Sequence, residues 1–115
     1  MITNPKFQIF LGSSGDFYFR LNARNGEQIL SSQGYSSRAN CQNGIESVKK
    51  NCADNGRFER KTASDGRFFF NLTATNGQII GSSQMYKSAG GRDNGIEAVQ
   101  RVAPAAPVED LTAAE

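Results

Sequence analysis

The chain has no histidine. Its absence removes both the commonest general base and the commonest metal ligand. Cysteine is scarce, with two in 115 residues, Cys41 and Cys52. Both fall in a stretch whose apolar spacing predicts a helix. At about 1.5 Å of rise per residue they stand roughly 16 Å apart, whereas a disulfide needs its Cα atoms within about 7 Å. The pair is therefore expected as two buried or half-buried thiols, not a bridge or a metal site. No apolar run approaches the ~20 residues of a membrane helix, and the opening MITNPKFQIF lacks the pattern of a secretory leader. A large excess of one charge is also missing. Thirteen basic and eleven acidic residues leave +2, too little to demand a nucleic-acid or membrane partner. The residue 105–115 tail, with three acids and no base, leaves the body mildly basic. A cytoplasmic protein is the expectation.

The remaining residues offer little chemistry. Ser31, Ser32, Ser82 and Ser83 have no lysine or carboxylate that sequence places beside them, so they are read as satisfying backbone groups at a strand-to-helix turn. Asp54, Asp65 and Asp93 are isolated, and no phosphate-cradling GxxxxGK run occurs. Gly12-Ser13-Ser14-Gly15 reads better as a hairpin turn. No catalytic, cofactor-binding or metal-ligating residue is expected.

What is present is a repeat. Gly15–Gly26, GDFYFRLNARNG, returns as Gly66–Gly77, GRFFFNLTATNG. The match runs without a gap from Phe7/Phe58 to Ala53/Pro104, and 20 of its 47 pairs are identical. Both halves should therefore share one fold, and units this small complete one core together. The expected organisation is a single monomeric domain over residues 1–115, with repeats 7–53 and 58–104 and a C-terminal edge strand, 108–112.

Within each copy, period-two alternation predicts a half-buried strand. Phe17, Phe19 and Leu21 take one side and Tyr18, Arg20 and Asn22 the other; Phe68, Phe70 and Leu72 oppose Phe69, Asn71 and Thr73. Asn25-Gly26 and Asn76-Gly77 suit type I′ hairpin turns into strands Gln28–Ser32 and Ile79–Ser83. Ser14-Gly15 and Asp65-Gly66 offer turns from preceding strands, Phe7–Leu11 and Phe58–Thr62. SSQ-x-Y follows each meander, then a helical segment, Ser37–Asn51 and Ser88–Arg101, with Ser37 and Ser88 as N-caps. Ile45, Val48, Ile96 and Val99 form its apolar stripe. Asn43-Gly44 and Asn94-Gly95 interrupt these segments. Either Asn43 and Asn94 are themselves N-caps, with Glu46 and Glu97 completing a capping box, or the helix is longer and Gly44 and Gly95 admit a close approach, such as that of the twin helix. Ala103–Pro107 stops the second helix. Val108–Thr112 is expected to pair as an edge strand anchored by Val108 and Leu111, with Ala113–Glu115 frayed.

The tandem pattern F-x-F-x-L-x-A-x-NG, SSQ-x-Y and NGIE-x-V, together with the ending VEDLT, resembles the YegP-like family of small uncharacterised bacterial proteins. The resemblance spans roughly Phe7 to Thr112. It implies an α+β fold of two β-β-β-α units that build one antiparallel sheet with both helices on one face. It also implies that the strand after each helix is exchanged, so that VEDLT pairs with the other repeat. No activity comes with it. The face opposite the helices would present Phe10, Tyr18, Arg20, Lys61, Phe69 and Asn71. Aromatic anchors with charged neighbours point to a non-enzymatic protein-interaction module. Single-stranded nucleic acid or another anion is the alternative for the same residues.

Overall fold

Four hairpin loops set the strand lengths, and all four close alike. In the computed structural model, which describes residues 3–112, the carbonyls of Gly12, Ala23, Ala63 and Ala74 accept the amides of Gly15, Gly26, Gly66 and Gly77. Those four glycines have φ between +85° and +88°, and among the described residues no other residue type has positive φ. Each loop is therefore a type I turn followed by one left-handed glycine, which at Asn25-Gly26 and Asn76-Gly77 replaces the expected type I′ turn with two left-handed residues. The reason is local. The Asn25 and Asn76 side-chain oxygens accept the Glu27 and Gln78 amides at 3.0 Å, and this bond is made with the asparagine at negative φ.

The elements are β1 (Lys6–Leu11), β2 (Phe17–Asn22), β3 (Gln28–Ser31), α1 (Arg38–Asn51), β4 (Phe58–Thr62), β5 (Phe68–Thr73), β6 (Ile79–Ser82), α2 (Ala89–Val102) and β7 (Val108–Asp110). Each SSQ-x-Y segment leads into its helix in the same way. Ser32 Oγ accepts the Phe19 amide and donates to the Gln33 carbonyl, and Ser83 does the same for Phe70 and Gln84. Tyr35 and Tyr86 exchange paired backbone hydrogen bonds with Phe17 and Phe68. Ser37 and Ser88 then cap α1 and α2 by accepting from Asn40 and Gly91. Asn43-Gly44 and Asn94-Gly95 lie inside the helices, so the longer-helix reading holds. The close approach at Gly44 is not to the other helix, however. A Cβ there would stand 2.5 Å from Tyr35 Oη and 3.0 Å from Phe19. Gly95 meets Tyr86 and Phe70 in the same way.

The seven strands form one sheet in the order β4-β5-β6-β3-β2-β1-β7. The halves join where β3 meets β6 at Ser31 and Ser82. β7 does lie on the other repeat, beside β1, but it runs parallel, from Phe7↔Val108 to Ile9↔Asp110, so the sheet is mixed and not wholly antiparallel. Both helices cover one face. Phe7, Phe19, Leu21, Phe70 and Leu72 are fully buried beneath Ile45, Val48, Ile96 and Val99. Aromatic triads recur in the two halves: Phe7 edge-on to Phe19 with Tyr35 stacked beyond, and Phe58 edge-on to Phe70 with Tyr86 beyond. Two expected core members sit at the margin. Phe17 and Phe68 are half-buried near the strand ends, with the guanidinium groups of Arg38 and Arg92 over their rings.

The tail strand is shorter than expected. It ends at Asp110, and Leu111 is half exposed instead of anchoring it. Its hold comes from buried Ala106, half-buried Val108, and the ion pairs of Glu109 with Lys6 (2.8 Å) and Asp110 with Arg38 (2.9 Å). The expected fraying of Ala113–Glu115 lies outside the described residues. Deleting residues 105–115 should lower stability by about 2 kcal/mol, the scale of one buried valine-sized side chain, readable as a shift in the urea midpoint. An unchanged midpoint, together with a Leu111 amide that exchanges freely in the intact chain despite its 2.9 Å bond to Ile9 O, would refute this.

Candidate functional site

Because side chains alternate along a strand, a helix layer on one face leaves the other face open. On β1 and β2 that face carries Phe10 opposite Tyr18 and Gln8 opposite Arg20. The Phe10 and Tyr18 rings stack at 5.7 Å with 18° between their planes. Arg20 lies over Phe10, 4.7 Å from its centroid. Its Nε donates to Gln8 Oε1 at 2.8 Å, and Asn22 Nδ2 donates to the same oxygen at 3.1 Å. Gln8 Nε2 in turn donates to Glu109 Oε1 at 2.9 Å, the oxygen that pairs with Lys6. Phe10, Tyr18 and Arg20 thus form one ordered stack, with the arginine held by a polar network that β7 completes.

The second half places its residues differently. Lys61 lies across the ladder from Phe69 and is exposed. Asn71 is buried, and its Oδ1 accepts Ser82 Oγ at 2.7 Å, so it shapes the floor of the face without projecting from it. Two exposed apolar residues are ones that strand alternation does not single out. Ile79, paired with Thr73, is 43% exposed, and Met85 is 41% exposed. They stand where the first repeat has Gln28 and Gly34, so the asymmetry between the repeats was the signal that would have found them. The open face therefore has an aromatic stack on one flank, and on the other Phe69 and Ile79 stand apart, Ile79 being opposite Thr73, four residues along β5 from Phe69.

Elsewhere the candidate chemistry is tied to structure. Cys41 and Cys52 are both free and buried. Burial, and then the charge of Asp110, push the Cys41 thiol up to about 11, so it is not a poised nucleophile. Among the described residues there is no cluster of three or more His, Cys, Asp or Glu able to hold a metal, and no helix is long and apolar enough to cross a membrane.

Comparison with known proteins places this architecture. A family model described as a domain of unknown function, DUF1508, matches residues 13–59 and 63–110. Its frame starts one strand later than the sequence repeat, so each unit reads β-β-α-β. A UPF0339 protein from the ptx operon 5′ region of Stutzerimonas stutzeri is 49% identical over 91% of this chain and 95% of its own length. The YegP protein of Escherichia coli O157:H7 is 47% identical over 92% and 96%. Two solution NMR structures share the fold. That of E. coli yegP, titled a protein of unknown function, has a TM-score of 0.91 at 43% identity, covering 100% of this chain and 99% of that one. That of a UPF0339 protein from Shewanella oneidensis has a TM-score of 0.87 at 40% identity, covering 92% and 90%.

Proposed function

The chain belongs to the DUF1508 family, a domain of unknown function, and from that premise we propose that it is a non-catalytic interaction module, cytoplasmic and monomeric, whose open sheet face docks a protein partner. The observation that carries this reading is the Tyr18–Phe10–Arg20 stack. An ordered aromatic pair on an uncovered face, with the neighbouring Arg20 already held by Gln8 and the Phe10 ring, contributes contact area at low entropic cost. The charge pattern supports a protein over a nucleic acid. Arg20 is engaged with Gln8, Lys6 is paired with Glu109, and Glu59 stands two residues from Lys61 on β4. A phosphate backbone would need those cations free.

Tyr18→Ala and Phe69→Ala should each weaken partner capture by about thirtyfold, corresponding to ~2 kcal/mol for a hot-spot aromatic. Arg20→Ala and Lys61→Ala should matter less, and salt should have little effect. The measurement is a pull-down from lysate with and without nuclease, followed by titration of the captured protein. Capture lost to nuclease, and falling steeply with salt, would favour the nucleic-acid reading instead. Capture indifferent to Tyr18→Ala, Phe69→Ala and nuclease alike would reject both uses of this face.

A further inference from the structure

The pseudo-twofold places the second hairpin loop of each repeat, β2–β3 or β5–β6, against the helix of the other repeat, which creates two equivalent grooves on the helix side of the molecule. One lies between the β5–β6 loop and α1, lined by Thr75, Asn43, Ser47, Lys50 and Asn51, and measures about 310 Å³. Its twin lies between the β2–β3 loop and α2 and measures about 510 Å³. The difference follows from particular substitutions. Asn51 in the first groove folds onto Ser47, donating to its carbonyl at 2.8 Å and to its hydroxyl at 3.2 Å. In the second groove these positions are Val102 and Ala98, which cannot make that bond. Gly91 replaces Asn40, and nothing about the helix cap requires it, because Asn40 makes the equivalent cap bond to Ser37. A helix glycine costs about 1 kcal/mol relative to alanine, and here it opens the wall and brings Tyr86 into the lining.

The enlarged groove also gains charge. Arg24 stands where the twin has Thr75, opposite Arg101 on α2, and both also line the adjoining cleft beside Pro5 and Pro107. Among the described residues every other arginine except Arg20, which bonds Gln8, is ion-paired; Arg24 and Arg101 have no such partner. Glu27 on the loop side is the one acid in the lining, with its carboxylate 3.3 Å from Asn25 Nδ2. Two guanidinium groups at the rim of an apolar trough of ligand size fit an oxyanion on a compact apolar body.

We propose that the groove between the β2–β3 loop and α2 binds a small organic anion, its carboxylate or phosphate held by Arg24 and Arg101 and its apolar part resting on Ala98, Val102 and Ile29. The site is on the opposite side of the sheet from the face that docks a partner, and it stands or falls independently of that reading. The test is an amide-resolved NMR titration of the full chain with benzoate and, separately, with phenyl phosphate, which also tells carboxylate from phosphate. Saturable shifts are expected at Arg24, Gly91, Ala98 and Arg101, while Asn43, Ser47 and Lys50 in the twin groove stay still. Arg24→Thr and Arg101→Ala should each weaken binding about tenfold, the lower end for a charge-assisted hydrogen bond. Gly91→Asn, which restores the twin's residue, should weaken it with both arginines intact. The rest of each spectrum reports that the variant is folded. Absence of saturation with both probes, equal shifts in the two grooves, or binding unaffected by Arg24→Thr and Arg101→Ala would overturn the assignment.

Discussion

Residues 1–56 expressed alone are expected to sediment as a dimer or to remain unfolded, and not to form a stable monomer. Neither half covers its own core. α1 packs on β1 and β2 of its own half but also on β5 and β6, and α2 reaches across to β3. A Cβ added to Gly81 in β6 would run into Leu30 of β3, which shows how closely the two halves meet at the join. Cutting there exposes Leu30 and the inner edge of β3, leaving a four-element unit of a size that rarely buries enough surface to fold alone. Pairing two copies would restore the missing half. Sedimentation equilibrium and circular dichroism decide it, and a folded monomer would refute the shared core.

Phe19→Ala and Phe70→Ala should each cost about 3–5 kcal/mol, a large share of the 5–15 kcal/mol that a domain commands. Phe19 is wholly buried between Phe7, Tyr35 and the Gly44 backbone, and Phe70 between Phe58, Tyr86 and Gly95. These neighbours are rings and helix backbone, which cannot collapse into the void. The matched control is Phe17→Ala or Phe68→Ala, which removes the same ring from a half-buried position and should cost clearly less. Urea unfolding with an unchanged slope would give the difference directly. Equal losses at positions 17 and 19 would refute a gradient of burial along β2.

Much of the architecture was legible because it is local. Alternation in FYFRL and FFFNL names the buried face. Asn-Gly and Ser/Asp-Gly mark the loops, and Ser37 and Ser88 announce the helix starts three residues ahead of the amides they cap. The identity of the two halves required one fold twice. Alternation also put Phe10, Tyr18 and Arg20 on the same side of the sheet, since cross-strand neighbours share a face. That Arg20 would turn inward to Phe10 and Gln8 was not legible, because its partner Gln8 is itself steered by Glu109, about a hundred residues along the chain.

By itself the sequence determined which residues face inward, where the chain turns, and that the two halves are built alike, because propensity and period act within a few residues. Only the tertiary structure decided that β7 lies beside β1 and runs parallel to it. As the strand after α2 it corresponds to β4, which lies antiparallel on β5, but the equivalent place on β2 is taken by β1, so β7 pairs outside it and parallel. The tertiary structure also decided what Gly44 and Gly95 are for, since the tyrosines that need the space come from the segment ahead of each helix. The two grooves make the same point. Each joins a loop of one repeat to a helix of the other, so differences scattered through the chain, at Arg24, Gly91, Ala98 and Val102, acquire a common meaning only when folding brings them to one wall.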